Sequence, residues 1–373
     1  MNKKIFILCG ELSAEQYAAK LVPELLKNGF TVHALGGDLL KKAGANVVLN
    51  YQSLSVVGLT EVLEHYSDLK KAFNFLVNKI KEIKPDILVC IDFPDFNMRI
   101  AKKVKKYVNK LVYFIPPQVW AWRLYRAKFI SNLFDRVIVL FPFEKPLYEN
   151  ACYFGHPLTE LIEIKKEKKD FFKKYSLNNI NKKILLLPGS RKKEVISLTS
   201  YLLEFAREFY NKHKETDFLL LPSPSLNREV INNFKMDFIK QTGCSIFEIE
   251  HQDKYEAIKY SDIAIGSSGT IALECGLLKT PMVALYKLSN ITYFFGLCVV
   301  RSDFFTIPNI LLEEEVYREL INFSLTSDNI MDYAEKVLYN PEFSEALKKR
   351  LEALKTMLHK KAIFKNIARG IVN

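Results

Sequence analysis

Short runs of apolar, β-branched and aromatic residues alternate with helix-length patterns along this sequence, and they do so in two series. The first comprises KIFILC (4–9), TVHAL (31–35), DILVCI (86–91), LVYFI (111–115) and RVIVLF (136–141). The second comprises KILLLP (183–188), DFLLLP (217–222), CSIF (244–247), DIAIG (262–266) and MVALY (282–286). Strands separated by helical patterns are the signature of parallel βα units. The charged stretch from Glu163 to Lys183 lies between the series and reads as a linker. The expected architecture is α/β: two Rossmann-like, doubly wound domains, residues 1–162 and 163–340, facing a cleft at the carboxyl ends of their strands. Residues 341–373 read as amphipathic C-terminal helices that pack back on the first domain, with Leu347, Leu351, Leu354, Met357 and Leu358 on one face.

A length of 373 residues suits two domains of middling size, and 49% hydrophobic residues give both a core. The opening MNKKIFILCGE is too short in its apolar part for a signal peptide, and no run approaches a bilayer span, so a cytoplasmic protein without a transmembrane helix is expected. Cys9, Cys90, Cys152, Cys244, Cys275 and Cys298 have no paired spacing and the histidines are dispersed, which points to buried thiols and away from a disulfide framework or a metal centre. The formal charge of +12 is concentrated in lysine runs at 102–107, 165–174 and 359–369. A solvated surface is the commoner reading of any one run. No nucleic-acid motif accompanies them, so an anionic membrane face is the better partner and nucleic acid is not expected.

The stretch ILCGELSAEQYAAKL (7–21) has the strand, turn and helix of a nucleotide-binding start. Yet Gly10 stands alone, and Glu11 and Glu15 would repel a pyrophosphate. The anion site is expected instead in DIAIGSSGTIALECGLL (262–278), where Ser268, Gly269 and Thr270 open a helix whose free amides favour phosphate. Glu274, one turn on, is placed for ribose hydroxyls, with a solvent-facing helix glutamate as the alternative. In LLLPGSRKKEV (185–195), Gly189 allows a tight turn and Arg191 has the planar fork suited to phosphate oxygens, or is an ordinary surface arginine. In DILVCIDFPDFNMRIAKK, Asp95 or Asn97 is placed to cap a helix beginning near Asn97, whereas Asp92, in extended chain before a Phe-Pro pair, caps nothing and is the better general base. The segment YFIPPQVWAWRLYRAKFI (113–130) gathers Trp120, Trp122, Arg123 and Arg126, which suits a sugar face or a lipid phosphate, with core packing expected of at least one indole. FGHPL puts His156 at the entrance to the hinge.

With these pieces in order, the sequence resembles the lipid-A-disaccharide synthases, metal-independent inverting glycosyltransferases of the GT-B type. GELS, GGDLLKKAG, VVGLTEVL, IDFPDFN, PQVWAWR, LFPFEKPLY, FGHPL, LLPGSR, SSGTIALE, TPMVALYK and IPNIL occur in the family's order over almost the whole chain. PDFN with VWAWR is highly specific; LPGSR and SGT recur among nucleotide-sugar enzymes. The resemblance implies UDP-2,3-diacylglucosamine as donor, 2,3-diacylglucosamine 1-phosphate as acceptor, a β-1,6-linked disaccharide 1-phosphate and UDP as products, and no cofactor. It implies Asp92 as catalytic base; Ser190, Arg191, Glu194, Ser268, Gly269, Thr270, Glu274 and Asn309 on the donor; and Glu11, Ser13, Asp95, Asn97, Trp120, Arg123 and Arg126 on the acceptor. Acylated substrates imply a peripheral position on the anionic inner membrane, with a purpose for the basic runs and for LSVVGLTEVL (54–63). A homodimer is compatible with this. Ala14 and Glu15 replace the glycine and aspartate that usually end the first motif, and Pro116 replaces a serine, so the acceptor fit departs from the family's. Another UDP-hexosamine enzyme on the same fold, such as a 2-epimerase or a different membrane glycosyltransferase, and a non-catalytic lipid-surface binder are the competing readings.

Overall fold

The computed structural model describes residues 3–51, 66–122, 124–287 and 303–373. Arg123, Cys298 and the whole apolar stretch 54–63 therefore lie outside the described residues, as does the side chain of Trp122. The chain divides into two compact units, one of residues 1–157 with 358–373 and one of residues 158–357.

The first unit is built on a seven-stranded, wholly parallel sheet of β1 (Lys3–Cys9), β2 (Phe30–Gly36), β3 (Asn46–Asn50), β4 (Ile87–Ile91), β5 (Lys110–Phe114), β6 (Arg136–Val139) and β7 (Ala151–Tyr153), in the order 3-2-1-4-5-6-7. The second carries six parallel strands, β8 (Lys182–Leu187), β9 (Thr216–Leu220), β10 (Ile246–Glu248), β11 (Ile263–Ser267), β12 (Met282–Tyr286) and β13 (Arg318–Ile321), in the order 10-9-8-11-12-13. Both orders reverse direction beside the first strand of their unit, which opens a crevice between β1 and β4 and another between β8 and β11. All five residues of β4 are buried, because helices cover both faces of a parallel sheet. The strands absent from the sequence reading, β3, β7 and β13, are all at sheet edges, short and largely half-buried, so they lack the apolar run that marks a central strand.

The segment read as a linker is packed structure of the second unit. The helix Lys168–Lys174 buries Phe171 and Phe172. The Glu256 carboxylate accepts from the amides of Lys165 (2.6 Å) and Lys166 (3.0 Å), and buried Asp253 pairs with Lys166 and with Lys174 (2.7 Å). Two lysines of that basic run are thus engaged inside the unit. The helix Pro341–Leu358 buries Leu347, Leu351, Leu354 and Leu358 and leaves Met357 exposed, with Leu347 joining the second unit's core. Only the helix Ile363–Val372 lies wholly with the first unit. It packs on the helix Leu12–Lys27, and the Arg136 guanidinium donates to its Gly370 carbonyl (2.5 Å).

Glu15, the longer side chain at the first motif's last position, is almost wholly buried. Its carboxylate accepts from the amides of Gly37 (2.8 Å) and Leu40 (3.0 Å) and from the Tyr51 hydroxyl (2.9 Å). Gly37 and Leu40 are donors at the start of the helix Asp38–Lys42, so Glu15 caps that helix across a tertiary contact. Glu15→Ala leaves these buried donors unpaired and is expected to destabilise the first unit by at least about 2 kcal/mol. A lowered thermal midpoint, with faster amide exchange at Gly37 and Leu40, is the expected result, and an unchanged midpoint would refute the capping role.

Candidate active site

In the first unit the chain leaves β4 in an unusual way. Asp92 and Phe93 both have left-handed backbones, with φ of 49° and 46°. The helix starts at Pro94, with Phe93 as its N-terminal flank, and not near Asn97 as expected. The extended Asp-Phe-Pro segment expected from sequence is therefore a tight reversal that turns Asp92 back over the sheet's end. Its backbone remains tied in: the Asp92 amide donates to the Phe114 carbonyl (3.1 Å), and the Asp92 carbonyl accepts from the Asn97 side-chain amide (2.8 Å) and the Tyr113 hydroxyl (3.2 Å). The Phe93 ring folds over the β1 turn. A Cβ on Gly10 would meet it at 2.7 Å, so that glycine makes room for a ring.

This turn brings Asp92 against Glu11. Burial, then the Glu11 charge and a hydrogen bond to its side chain, push the Asp92 carboxyl up to about 7, against a partial opposing effect of the Phe93 amide. Ser13 donates its hydroxyl to Glu11. Sequence reasoning placed Glu11 and Asp92 in different roles; the structure makes them neighbours.

The other expected acceptor residues fall into two groups. Asn97 is fully enclosed, and its amide also donates to the carbonyls of Ile91 (3.3 Å) and Leu8 (3.4 Å), so it braces strand ends and presents nothing to a ligand. Asp95 caps nothing: its side chain is 70% exposed and accepts from Arg126 (2.5 Å). Trp120 stands edge-on to Phe143 with ring centroids 5.4 Å apart. Its buried indole nitrogen faces the Glu144 carboxyl without closing a well-formed hydrogen bond. Glu144, which sequence reasoning missed, is buried and pushed up to about 7, while the amides of Leu140 (3.2 Å) and Phe141 (3.0 Å) donate to it. His156 is buried in contact with the Phe141 ring and neutral, pushed down to about 3 by burial.

In the second unit, β8 and β11 end side by side. Gly266 has φ of 149° and a Cβ there would lie 1.9 Å from the Leu187 carbonyl oxygen, so only glycine allows the two strand ends to come this close. The Glu194 carboxylate joins the loops that follow, accepting from the Ser190 amide (2.7 Å) and the Ser267 hydroxyl (2.5 Å). Ser225, after β9, donates its hydroxyl to the Ser190 carbonyl (2.8 Å). Beside this brace, the helix Thr270–Leu277 begins at Gly269 with no side-chain cap, leaving its first amides open toward an anion. Ser268 is half-buried, Gly269 and Thr270 are exposed, and Arg191 is exposed with no ion pair among the described residues.

Two expected donor residues are placed otherwise. Asn309 is fully buried and spent: its amide donates to the Tyr317 carbonyl and to Glu319 (both 2.8 Å), and its oxygen accepts from the amides of Val316 (3.0 Å) and Tyr317 (2.8 Å). Glu274 is 4% exposed and paired with Lys254 at 2.8 Å, so it is not solvent-facing and one of its carboxylate oxygens is engaged within the unit. Burial pushes its carboxyl up while Lys254 opposes.

The fold, two parallel α/β units, is one that solved structures of GT-B glycosyltransferases and UDP-GlcNAc 2-epimerases share. The UDP-GlcNAc 2-epimerase of Neisseria meningitidis bound to UDP-GlcNAc superposes with a TM-score of 0.70 over 99% of both chains at 13% identity. MurG of Acinetobacter baumannii does so with a TM-score of 0.63 over 99% of both chains at 12% identity. Sequence is more specific. Residues 5–369 match the lipid-A-disaccharide synthetase family model, and the chain belongs to that family, the glycosyltransferases of lipid A biosynthesis. It is 33% identical to the lipid-A-disaccharide synthase of Persephonella marina, over 98% of this chain and 97% of the relative, and 34% identical to that of Geobacter metallireducens, over 100% and 97%.

The pairing of Asp92 with Glu11 has a measurable consequence. Carboxyl carbon chemical shifts should show Asp92 titrating near pH 7, well above the ordinary aspartate range. Glu11→Gln removes the negative neighbour, so ionisation becomes easier and the midpoint moves to lower pH. A midpoint unmoved by Glu11→Gln would show that the two carboxyls do not interact.

Proposed function

We propose that this glycosyltransferase joins UDP-2,3-diacylglucosamine to 2,3-diacylglucosamine 1-phosphate, forming a β-1,6-linked disaccharide 1-phosphate and UDP. The first unit takes the acceptor and the second the donor. The observation that carries the reading is Asp92: a half-buried carboxyl at the end of a central strand, with a pKa of about 7 where a general base works best near neutral pH. Asp92 accepts the proton of the acceptor's 6-hydroxyl as that oxygen attacks the anomeric carbon, and UDP leaves from the opposite face, inverting the anomeric centre. Arg191 and the amides of Ser268 to Thr270 stabilise the charge that gathers on the departing diphosphate. Glu11, Ser13 and Trp120 meet the acceptor, with Asp95 and Arg126 acting as one ion pair beside them. Glu194 serves the donor by bracing the loops around Ser190. Glu274 and Asn309 are support behind that site.

Incubation with both acylated sugars, read by mass spectrometry, tests the assignment. Disaccharide 1-phosphate with stoichiometric UDP is the expected result. Epimerised UDP-sugar without acceptor consumption would favour the 2-epimerase reading, and no turnover would favour a binder. In the same preparation Arg191→Ala is expected to weaken UDP binding by about 1.5–3 kcal/mol in calorimetry. Unchanged affinity would take Arg191 out of the donor site.

The acylated substrates place the enzyme at the cytoplasmic surface of an anionic inner membrane in this reading. No described helix is long and apolar enough to cross a membrane. The support is the helix Tyr125–Leu133 and the residue before it, where Leu124, Phe129 and a 75% exposed Tyr125 stand beside exposed Lys128, and where Arg126 links to Asp95, three residues from Asp92. Tyr125→Ser with Phe129→Ser is expected to reduce sedimentation with anionic vesicles, and binding of the unaltered protein to fall as salt shortens the Debye length below about 8 Å. Binding indifferent to both changes would refute this attachment.

A further inference from the structure

Asp92 and Phe93 occupy a backbone conformation that L-residues other than glycine adopt reluctantly, and they do so in succession. A turn of this kind persists only where surrounding contacts over-determine it. Two side chains from different elements converge on one atom of it. The Asn97 amide reaches the Asp92 carbonyl from the first turns of the following helix, and the Tyr113 hydroxyl reaches it from β5. Both side chains are fully buried, and neither is presented to substrate. The Asn97 oxygen has no hydrogen-bond partner, so the residue is oriented by what its amide donates to, the carbonyls of Leu8, Ile91 and Asp92. This set of acceptors spans the ends of β1 and β4 together with the turn.

We infer that Asn97 and Tyr113 are positioning residues for Asp92: by holding its carbonyl from two sides they fix the left-handed turn, and so keep the carboxylate in a single orientation against Glu11. The inference rests on Asp92 being the base. Glu11 is the charged group facing Asp92 from the first turn. Cys9, from the end of β1, and Tyr113, from β5, also face it, and burial pushes both far up, so both are neutral. Arg126, from the neighbouring helix, acts on the Tyr113 side of the group, and the Phe93 amide donates to Asp92 from its own turn. With the clamp released, the carboxylate swings from Glu11 toward water and its pKa falls.

Tyr113→Phe tests this, because it keeps the buried ring and deletes one hydrogen bond. Turnover is expected to drop about 10-fold or more, on the scale of a slightly misplaced catalytic group, with KM for both sugars within about twofold. The acid limb of the kcat/KM profile moves to lower pH, which a general loosening of the fold would not produce. Asn97→Ala is expected to act in the same direction more strongly; where it fails to fold, Tyr113→Phe carries the test, with UDP calorimetry reporting an intact second unit. In an Asp92→Asn background Tyr113→Phe should have no further effect on residual turnover. Tyr113→Phe with unaltered kcat and pH profile, alongside an inactive Asp92→Asn, overturns the clamp and leaves the base in place. An Asp92→Asn enzyme as active as the unaltered one overturns the base and the clamp with it.

Discussion

Two consecutive left-handed residues after β4 are the constraint on which the first unit's chemistry depends. Each is disfavoured by about 1–2 kcal/mol for an L-amino acid, and phenylalanine has none of the local hydrogen bonding that helps aspartate tolerate this region. The offset is tertiary. The Phe93 ring packs against Phe96, centroids 5.0 Å apart, and over a β1 turn kept clear by Gly10, while Asn97 and Tyr113 hold the Asp92 carbonyl. Removing the turn would change the start of the helix Pro94–Val104, the packing over β1 and the direction of one carboxylate together. The function proposed for Asp92 thus rests on hydrophobic packing as much as on charge.

The second unit solves a different problem, with rigidity supplied by a carboxylate and by glycine. An anion site made of open amides must be dry enough to be strong and fixed enough not to collapse. Gly266 lets β8 and β11 end nearly in contact, and Glu194 then spans the two loops from the Ser190 amide to the Ser267 hydroxyl. A negative group beside a diphosphate site would be unfavourable if it were free. Here both of its oxygens are engaged by the protein, which turns it from a competitor into a strut.

Central features were legible in the sequence because they follow from pattern. The buried central strands are long apolar runs, and the SSGT and PGSR turns occur where strands end. Three of the four edge strands were not legible, since β3, β7 and β13 are short and largely half-buried and look like loop. The site was read well where a residue's role depends on local chain and poorly where it depends on distant partners. Asn309 and Glu274 have the residue types of ligand-binding groups, but Tyr317, Glu319 and Lys254 engage them from elsewhere in the unit. Glu144 sat unnoticed among aromatic residues because its burial is a tertiary property. The Phe-Pro pair argued for extended chain, and only packing against Gly10 and the Asn97 brace overrules that preference.

The first unit is discontinuous. The helix Ile363–Val372 completes it against the helix Leu12–Lys27, after about 200 residues devoted to the other unit. During synthesis at roughly 5–20 residues per second, the amino-terminal sheet therefore waits on the order of 10–40 s with one flank open. Until then the contact of the helix Leu12–Lys27 with the helix Ile363–Val372 is unmade. Over that interval the amino-terminal part of the unit stands without the helix Ile363–Val372 that packs on it. The order in which the two units mature is thus opposite to the order in which they are begun.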